Sequence, residues 1–297
     1  MPELPEVQAL ANDLALRLIG RVIESLDIVS FAALKTFDPP ATALAGQTIT
    51  GVSRWGKFLD ISVGDLGDLH LVMHLARAGW VRWRETAAKE SARPSKGPLA
   101  ARLVLVPTDD AARVPGVGLD ITEAGSKKSL AIYVVTNPQL VPGIARLGPD
   151  PLSPGFTERV FRDLLHSAGR AQIKGILRNQ SVIAGIGNAY SDEILHAARM
   201  SPFKPASMTD ADIAMLYDAL QVTLRSAVDR ADGLAASELK SEKKSGMQVH
   251  GRSGQACPVC GDTVREVIFA DSTLQYCPTC QTGGKPLADR VLSRLLK

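Results

Sequence analysis

Cys257-Pro258-Val259-Cys260, sixteen residues, then Cys277-Pro278-Thr279-Cys280: the reading of this stretch governs the reading of the rest. Each CxxC knuckle offers two thiolates within one turn, and two knuckles at this spacing suit one tetrahedral ion, a four-thiolate Zn2+ site. The intervening residues 265–276 can form a β-hairpin held by the metal. Four protein ligands leave no open position for water, so one ion here serves folding rather than chemistry. The competing reading, two redox dithiols, suits a short, loop-rich C-terminus less well.

These are all the cysteines of the 297-residue chain, so none remains for a disulfide elsewhere. That usage points to a reducing, cytoplasmic setting. The first residues are acidic and precede no apolar run of the kind a secretory signal needs, and no run is long enough to span a bilayer, so no membrane partner is expected. The chain is 45% hydrophobic and carries a net charge of only +3, so it can bury sizeable cores, and a nucleic-acid partner would need a local basic patch. Lys240, Lys243, Lys244, Arg252, Arg265, Lys285, Arg290, Arg294 and Lys297 concentrate such charge near the C-terminus.

Working back from the knuckles, residues 241–256 are polar and glycine-rich. Helical patterns occupy 156–168, 173–178, 189–199 and 210–231. A Pro/Gly-rich piece at 147–155 reads as a linker. Before it lie β-like runs at 21–29, 48–53, 58–63, 69–73, 103–106 and 128–135, with a polar, loop-like stretch at 85–97. Val7, Leu10, Leu14 and Leu18 recur at helical spacing ahead of Gly20, so a helix leads the chain. The expected class is α+β and multidomain. A β-rich domain spans 1–145, a linker 146–155, a helical domain 156–245, a zinc finger 246–282 and a basic tail helix 283–297.

Two further places invite chemistry. In Val182-Ile183-Ala184-Gly185-Ile186-Gly187-Asn188-Ala189-Tyr190 the glycines permit a tight turn, and Asn188 suits a helix N-cap whose free N–H groups bind phosphate. Lys174 could join the same phosphate. Taken alone, this is equally a plain helix–turn–helix corner. At the other end, Met1-Pro2-Glu3-Leu4-Pro5-Glu6 places a small residue after methionine. Removal of Met1 would expose Pro2 as a secondary amine, and an α-amino group titrates near pH ~8. A neutral amine can attack a sugar carbon, with Glu3 relaying protons and Glu6 flanking it. From position alone these carboxylates equally suit a helix N-terminus.

In this order, Pro2-Glu3-Leu4-Pro5-Glu6-Val7, Gly56-Lys57, the segment 183–193 and the four cysteines resemble the formamidopyrimidine-DNA glycosylase / endonuclease VIII family nearly end to end. The resemblance implies an N-terminal helix with a β-sandwich, a helix–two-turn–helix domain and a zinc finger. It implies base-excision repair of damaged DNA, with the target nucleotide flipped out of the stack. Pro2 matches the nucleophile that attacks C1′ and forms a Schiff base, and Glu3 matches the proton donor. Lys57 matches the lysine that serves elimination and touches phosphate, while Lys174 and Asn188 match phosphate-holding positions. β-Elimination, often followed by δ-elimination, completes the lyase reaction. The family also implies a monomer with no small-molecule cofactor.

The departures from the pattern concern later steps. An arginine usually stands five residues before the third cysteine; Ser272 stands there. Serine can donate one hydrogen bond but brings no charge to a phosphate. Lys285 and Arg290 are nearby candidates to compensate. A methionine wedge usually follows a His-Leu-Gly triplet, whereas His74-Leu75-Ala76 precedes Arg77, and Lys127 and Lys128 occupy the region of a missing Arg-Phe pair. Arg77 and Lys128 are therefore the expected DNA contacts on the lesion side. Two other readings remain: a non-catalytic damaged-DNA-binding protein of the same fold, and an unrelated zinc-ribbon DNA-binding module.

Overall fold

The computed structural model describes residues 1–85, 98–107, 117–269 and 272–287. Nearly all of the expected loop at 85–97, and the tail beyond residue 287 with Arg290, Arg294 and Lys297, lie outside them. The chain divides into two compact units. One comprises Met1–Arg146 with Ala231–Leu239, the other Leu147–Arg230 with Lys240–Lys297.

The first unit opens with helix α1, Leu4–Leu18. Val7, Leu10, Ala11, Leu14 and Leu18 are buried along one face, and Gly20 ends the turn at φ +84°. Eight strands follow. These are β1 (Ile23–Ile28), β2 (Ile49–Trp55), β3 (Phe58–Val63), β4 (Leu69–His74), β5 (Gly79–Arg84), β6 (Leu99–Leu105), β7 (Gly118–Glu123) and β8 (Ala131–Val135). They form two antiparallel sheets ordered β1-β6-β7-β5 and β2-β3-β4-β8. Period-two alternation sends Leu59, Ile61 and Val63 of β3 into the core they share with α1 and the other sheet. Phe58, Asp60 and Ser62 take the opposite face. The segment Ala231–Leu239 adds Ala231, Ala236 and Leu239 to this core, and Trp80 Nε1 donates to the Ala236 carbonyl at 2.9 Å.

The second unit packs α2 (Glu158–Ala168), α3 (Ile173–Arg178), α4 (Asn188–Ala197) and α5 (Asp210–Ala231) around Phe161, Leu165, Leu177, Ile194, Leu216 and Leu220. Thr157 caps α2 by accepting from Val160 N. A short helix α6 (Leu239–Gly246), the hairpin β9 (Arg265–Ile268) and β10 (Thr273–Tyr276), and the turn of helix α7 (Pro278–Thr282) complete it.

Four local readings change. Strands β5 and β7 were not read from the sequence; β7 pairs with β6 on one side and with β5 on the other. Residues 241–246, read as irregular, continue α6, whose polar face left no apolar period to detect. Asn188 is the first residue of α4 rather than its cap, a place held by Gly187. The 147–155 piece packs on the helices: Leu152 joins their core, Gln221 Nε2 donates to Pro151 O at 2.8 Å, and a Cβ at Gly148 would meet Val182 O at 2.4 Å. Among the described residues, no helix is long and apolar enough to cross a membrane.

The β4–β5 turn stores strain at a residue the motif comparison singled out. Ala76 sits at φ +52°, in the left-handed region where a Cβ crowds the backbone. Ala76→Gly should therefore raise stability by about 0.5–1 kcal/mol, after allowing for the greater freedom of glycine in the unfolded chain. Thermal unfolding of the purified variant tests this, and a lower midpoint would show that Ala76 gains more from its contacts than it loses in strain.

Candidate nucleic-acid site and metal centre

In the first unit, Pro2, Glu3 and Glu6 are all buried at the start of α1. Glu3 and Glu6 form a reciprocal capping box, and Glu6 Oε2 accepts from Glu3 N at 2.8 Å. The box satisfies first-turn N–H groups and places two carboxylates where the helix dipole favours them. It also fixes the backbone that carries Pro2. Helix role and chemical role are thus compatible at the same residues.

Lys57 lies in the two-residue turn between β2 and β3. Gly56 takes the first central place at φ +55°, as a tight hairpin turn of this kind requires. Arg54 ties that turn to α1, with Nε donating to Gln8 Oε1 at 3.0 Å and Nη1 to Gly56 O at 3.1 Å. Lys57 is only 7% exposed. His74, the cross-strand partner of Phe58, lies against its ring in a tilted arrangement with centroids 4.7 Å apart. Burial, and then the Lys57 charge, push the His74 pKa down to about 4. A neutral imidazole and a buried ammonium therefore share this end of the sheet. His74 was noted in sequence only as part of the triplet before Arg77; its place beside Lys57 and the Arg54–Gln8 link were not found, because residues on separate elements give no spacing signal.

Arg77 is exposed and follows the strained Ala76. Lys128 is exposed too, with Nζ donating to the Glu123 carbonyl. The buried Glu123 carboxylate accepts from Ser129 N at 2.7 Å and Leu130 N at 2.9 Å, which orders the loop carrying Lys127 and Lys128.

In the second unit the glycine-rich entry is built around buried charge. Lys174 is 6% exposed, ion-paired with Asp192, and donates to Ser191 Oγ at 2.8 Å and Asn188 O at 3.3 Å. The sequence reading placed this ammonium at a phosphate; its observed partners hold the first turn of α4 in shape. Asp192 Oδ2 also takes His250 Nδ1 at 2.8 Å. Its neighbour Glu193 accepts from three successive backbone N–H groups: Gln248 at 2.8 Å, Val249 at 3.0 Å and His250 at 2.8 Å. Burial nevertheless raises the Glu193 pKa above the ordinary carboxylate value. Asn188 Nδ2 donates to Thr273 O at 2.6 Å, joining α4 to the hairpin.

The four cysteine Sγ atoms lie within 4.8 Å of one another, with Cys257–Cys280 at 3.9 Å and Cys260–Cys277 at 3.3 Å. A tetrahedral ion with Zn–S bonds of about 2.3 Å needs sulfurs about 3.8 Å apart, so this donor set fits Zn2+. Burial pushes the Cys277 thiol up to about 11, and an ion binding there must displace protons. His196 Nε2 stands 3.3 Å from Cys257 Sγ, so α4 touches the metal centre as well. Ser272 is part-buried, and its carbonyl accepts from Phe269 N at 2.8 Å.

Two consequences can be measured. Glu193→Ala leaves three N–H groups without their acceptor and should cost about 3 kcal/mol or more. Glu193→Gln retains Oε1 and should cost less. Differential melting, with the rate of zinc loss to a chelator as second readout, checks the order; equal effects would deny the carboxylate this role. His74 is neutral when folded, while an unfolded histidine titrates near its model value of 6.5. The unfolded chain therefore binds the extra proton first, and stability falls as pH drops from about 6.5 toward about 4. His74→Asn should flatten that part of the denaturation profile.

Known proteins share this fold. Residues 1–113 match the formamidopyrimidine-DNA glycosylase N-terminal domain, 147–238 that enzyme's H2TH domain, and 254–283 the zinc finger found in FPG and IleRS. The formamidopyrimidine-DNA glycosylase of Symbiobacterium thermophilum is 34% identical over 292 residues, covering 95% of this chain and 89% of that one. An uncharacterized formamidopyrimidine-DNA glycosylase-like protein of Mycobacterium tuberculosis is 56% identical over 152 residues, 51% of this chain and 94% of its own. The Lactococcus lactis enzyme, crystallised non-covalently bound to DNA containing an AP site, superposes with a TM-score of 0.77 at 27% identity, covering 94% of this chain and 99% of that one. With the fold, the four-thiol centre and these matches in agreement, the chain belongs to the formamidopyrimidine-DNA glycosylase family.

Proposed function

We propose that this protein is a base-excision-repair DNA glycosylase with abasic-site lyase activity, and that the processed N-terminus supplies its nucleophile. The observation that carries the reading is the ordered start of α1. Pro2 is buried beside a capping box of two carboxylates, and Arg54 ties the same helix to the Gly56-Lys57 turn.

Once Met1 is removed, the neutral Pro2 amine attacks C1′ of the damaged nucleotide. The N-glycosidic bond breaks, and the base leaves with a proton that Glu3 relays. Ring opening then gives an iminium on Pro2, splitting one hard step into two easier ones. Loss of a C2′ proton expels the 3′ phosphate by β-elimination, and hydrolysis of the iminium frees the amine. Lys57 serves the elimination and steadies the phosphate, while Glu6 holds the Glu3 backbone. Residues 1–145 carry this chemistry. Residues 156–245 and the finger at 246–282 hold the DNA, with Asn188 as a contact, and Arg77 and Lys128 of residues 1–145 contact it on the lesion side. Lys174 acts through the α4 turn. One structural Zn2+ on Cys257, Cys260, Cys277 and Cys280 keeps the hairpin folded. Ser272 brings no charge to the strand, so β-elimination outruns any δ step.

Ser272 and the Ala76-Arg77 pair also favour one other reading, a non-catalytic damage-binding protein of the same fold. Borohydride separates the two. With Pro2 verified as the first residue by intact mass, reduction in the presence of abasic-site DNA should trap a covalent adduct of protein and cleaved strand. Pro2→Gly should slow strand nicking at least tenfold. No adduct, together with unchanged DNA affinity, would establish the binding-only reading instead.

A further inference from the structure

We propose that Trp55 is a stacking platform for a nucleobase of the bound strand, aimed by the buried carboxylate of Asp60. The proposal rests on the DNA-binding part of the function above and not on its chemistry.

Trp55 ends β2, immediately before the Gly56-Lys57 turn, and is 38% exposed. The other two tryptophans are committed elsewhere. Trp80 is core and donates to Ala236 O, and the Trp83 ring lies beneath the Arg17 guanidinium. Trp55 Nε1 donates to Asp60 Oδ2 at 3.0 Å. Asp60 is itself 1% exposed, with Oδ1 3.0 Å from His70 Nδ1 and Oδ2 3.4 Å from Ser53 Oγ. A buried carboxylate is tolerable only when donors satisfy it. Here those donors also fix the ring, since rotating Trp55 away would strip Asp60 of its indole bond. The ring is therefore pre-positioned, which lowers the ordering cost of binding.

The surroundings select the ligand. Trp55 pairs with Phe58 across the hairpin, and the Phe58 ring lies tilted against the His74 ring, so three aromatic side chains gather at this end of the sheet. Arg54 and Lys57 bracket the turn with positive charge. An exposed, immobilised indole suits single-stranded or extruded nucleotides, because every base offers a π-face. This would supply apolar contact to DNA where the wedge methionine and phenylalanine are missing from the sequence.

The test uses full-length protein and a fluorescein-labelled oligonucleotide carrying a tetrahydrofuran abasic analogue, which binds without being turned over. Trp55→Ala should weaken the Kd roughly ten- to a hundred-fold, the range for losing one base–aromatic stack. Trp55→Phe keeps a smaller ring without the Asp60 bond and should fall between Trp55→Ala and wild type. DNA should quench the tryptophan emission of the wild type and leave that of Trp55→Phe unchanged, since Trp80 and Trp83 face other partners. The quenching readout decides the matter even if Trp55→Ala folds poorly. An unchanged Kd in a folded Trp55→Ala, or equal quenching in Trp55→Phe, overturns the platform. Failure of borohydride trapping with these binding changes intact would sink the nucleophile and leave the platform standing.

Discussion

Side by side on α4, Asp192 and Glu193 bury two carboxylates, and the C-terminal half of the chain is organised by their satisfaction. An unpaired charge at that depth is prohibitive, so each must be met by donors of fixed position. Asp192 is met by Lys174 from α3 and His250 from the approach to the finger. Glu193 is met by three consecutive main-chain N–H groups. Side-chain donors can move; three successive backbone donors cannot move independently. The chain therefore enters the cysteine module along one defined path. His196, one turn further along the same helix, reaches Cys257. One helix thus sets the glycine-rich turn at its start and the metal centre at its end.

The same logic recurs in the first unit with different donors. Glu3 and Glu6 satisfy each other's backbone, Glu123 orders the 124–130 loop through Ser129 N and Leu130 N, and Asp60 gathers Trp55, His70 and Ser53. In each case a buried acid fixes the segment beside it, and each segment carries a residue suited to DNA. Rigidity is achieved by acids beneath the surface, which leaves cations and aromatics above them. This explains how a chain of net charge only +3 can present local positive sites.

The architecture was legible where periodicity was strong. Helices 173–178 and 210–231 and strand 58–63 match the expected bounds, because their apolar residues repeat at one period only. The metal ligands were legible because two CxxC knuckles constrain chemistry directly, whatever the fold. The failures share a cause. α6 is polar nearly throughout and has Leu239 alone as a buried anchor, while β5 and β7 depend on hydrogen bonds to neighbouring strands. For Lys174, read as a phosphate contact, the sequence showed the charge and not the ion pair it makes. Its partner Asp192 stands eighteen residues away, on another helix. The Asp192-Glu193 doublet was a usable signal, since two acids between Tyr190 and Ile194 interrupt what is otherwise a buried helix.

The substitution at Ser272 gains meaning from this scaffold. Its carbonyl closes the hairpin against Phe269 N, and the neighbouring Thr273 carbonyl receives Asn188. Both bonds use the main chain, so any side chain at 272 would preserve them. The side chain at 272 can therefore change without loosening the hairpin, the metal site or α4. At α4 side chain and fold are not separable: Asn188, Lys174 and Asp192 share one hydrogen-bond network, and a change in any of them alters the turn itself. Side-chain divergence is consequently cheap at the hairpin tip and expensive at the helix entry, and the departures in this sequence fall at the tip and on the β4–β5 turn.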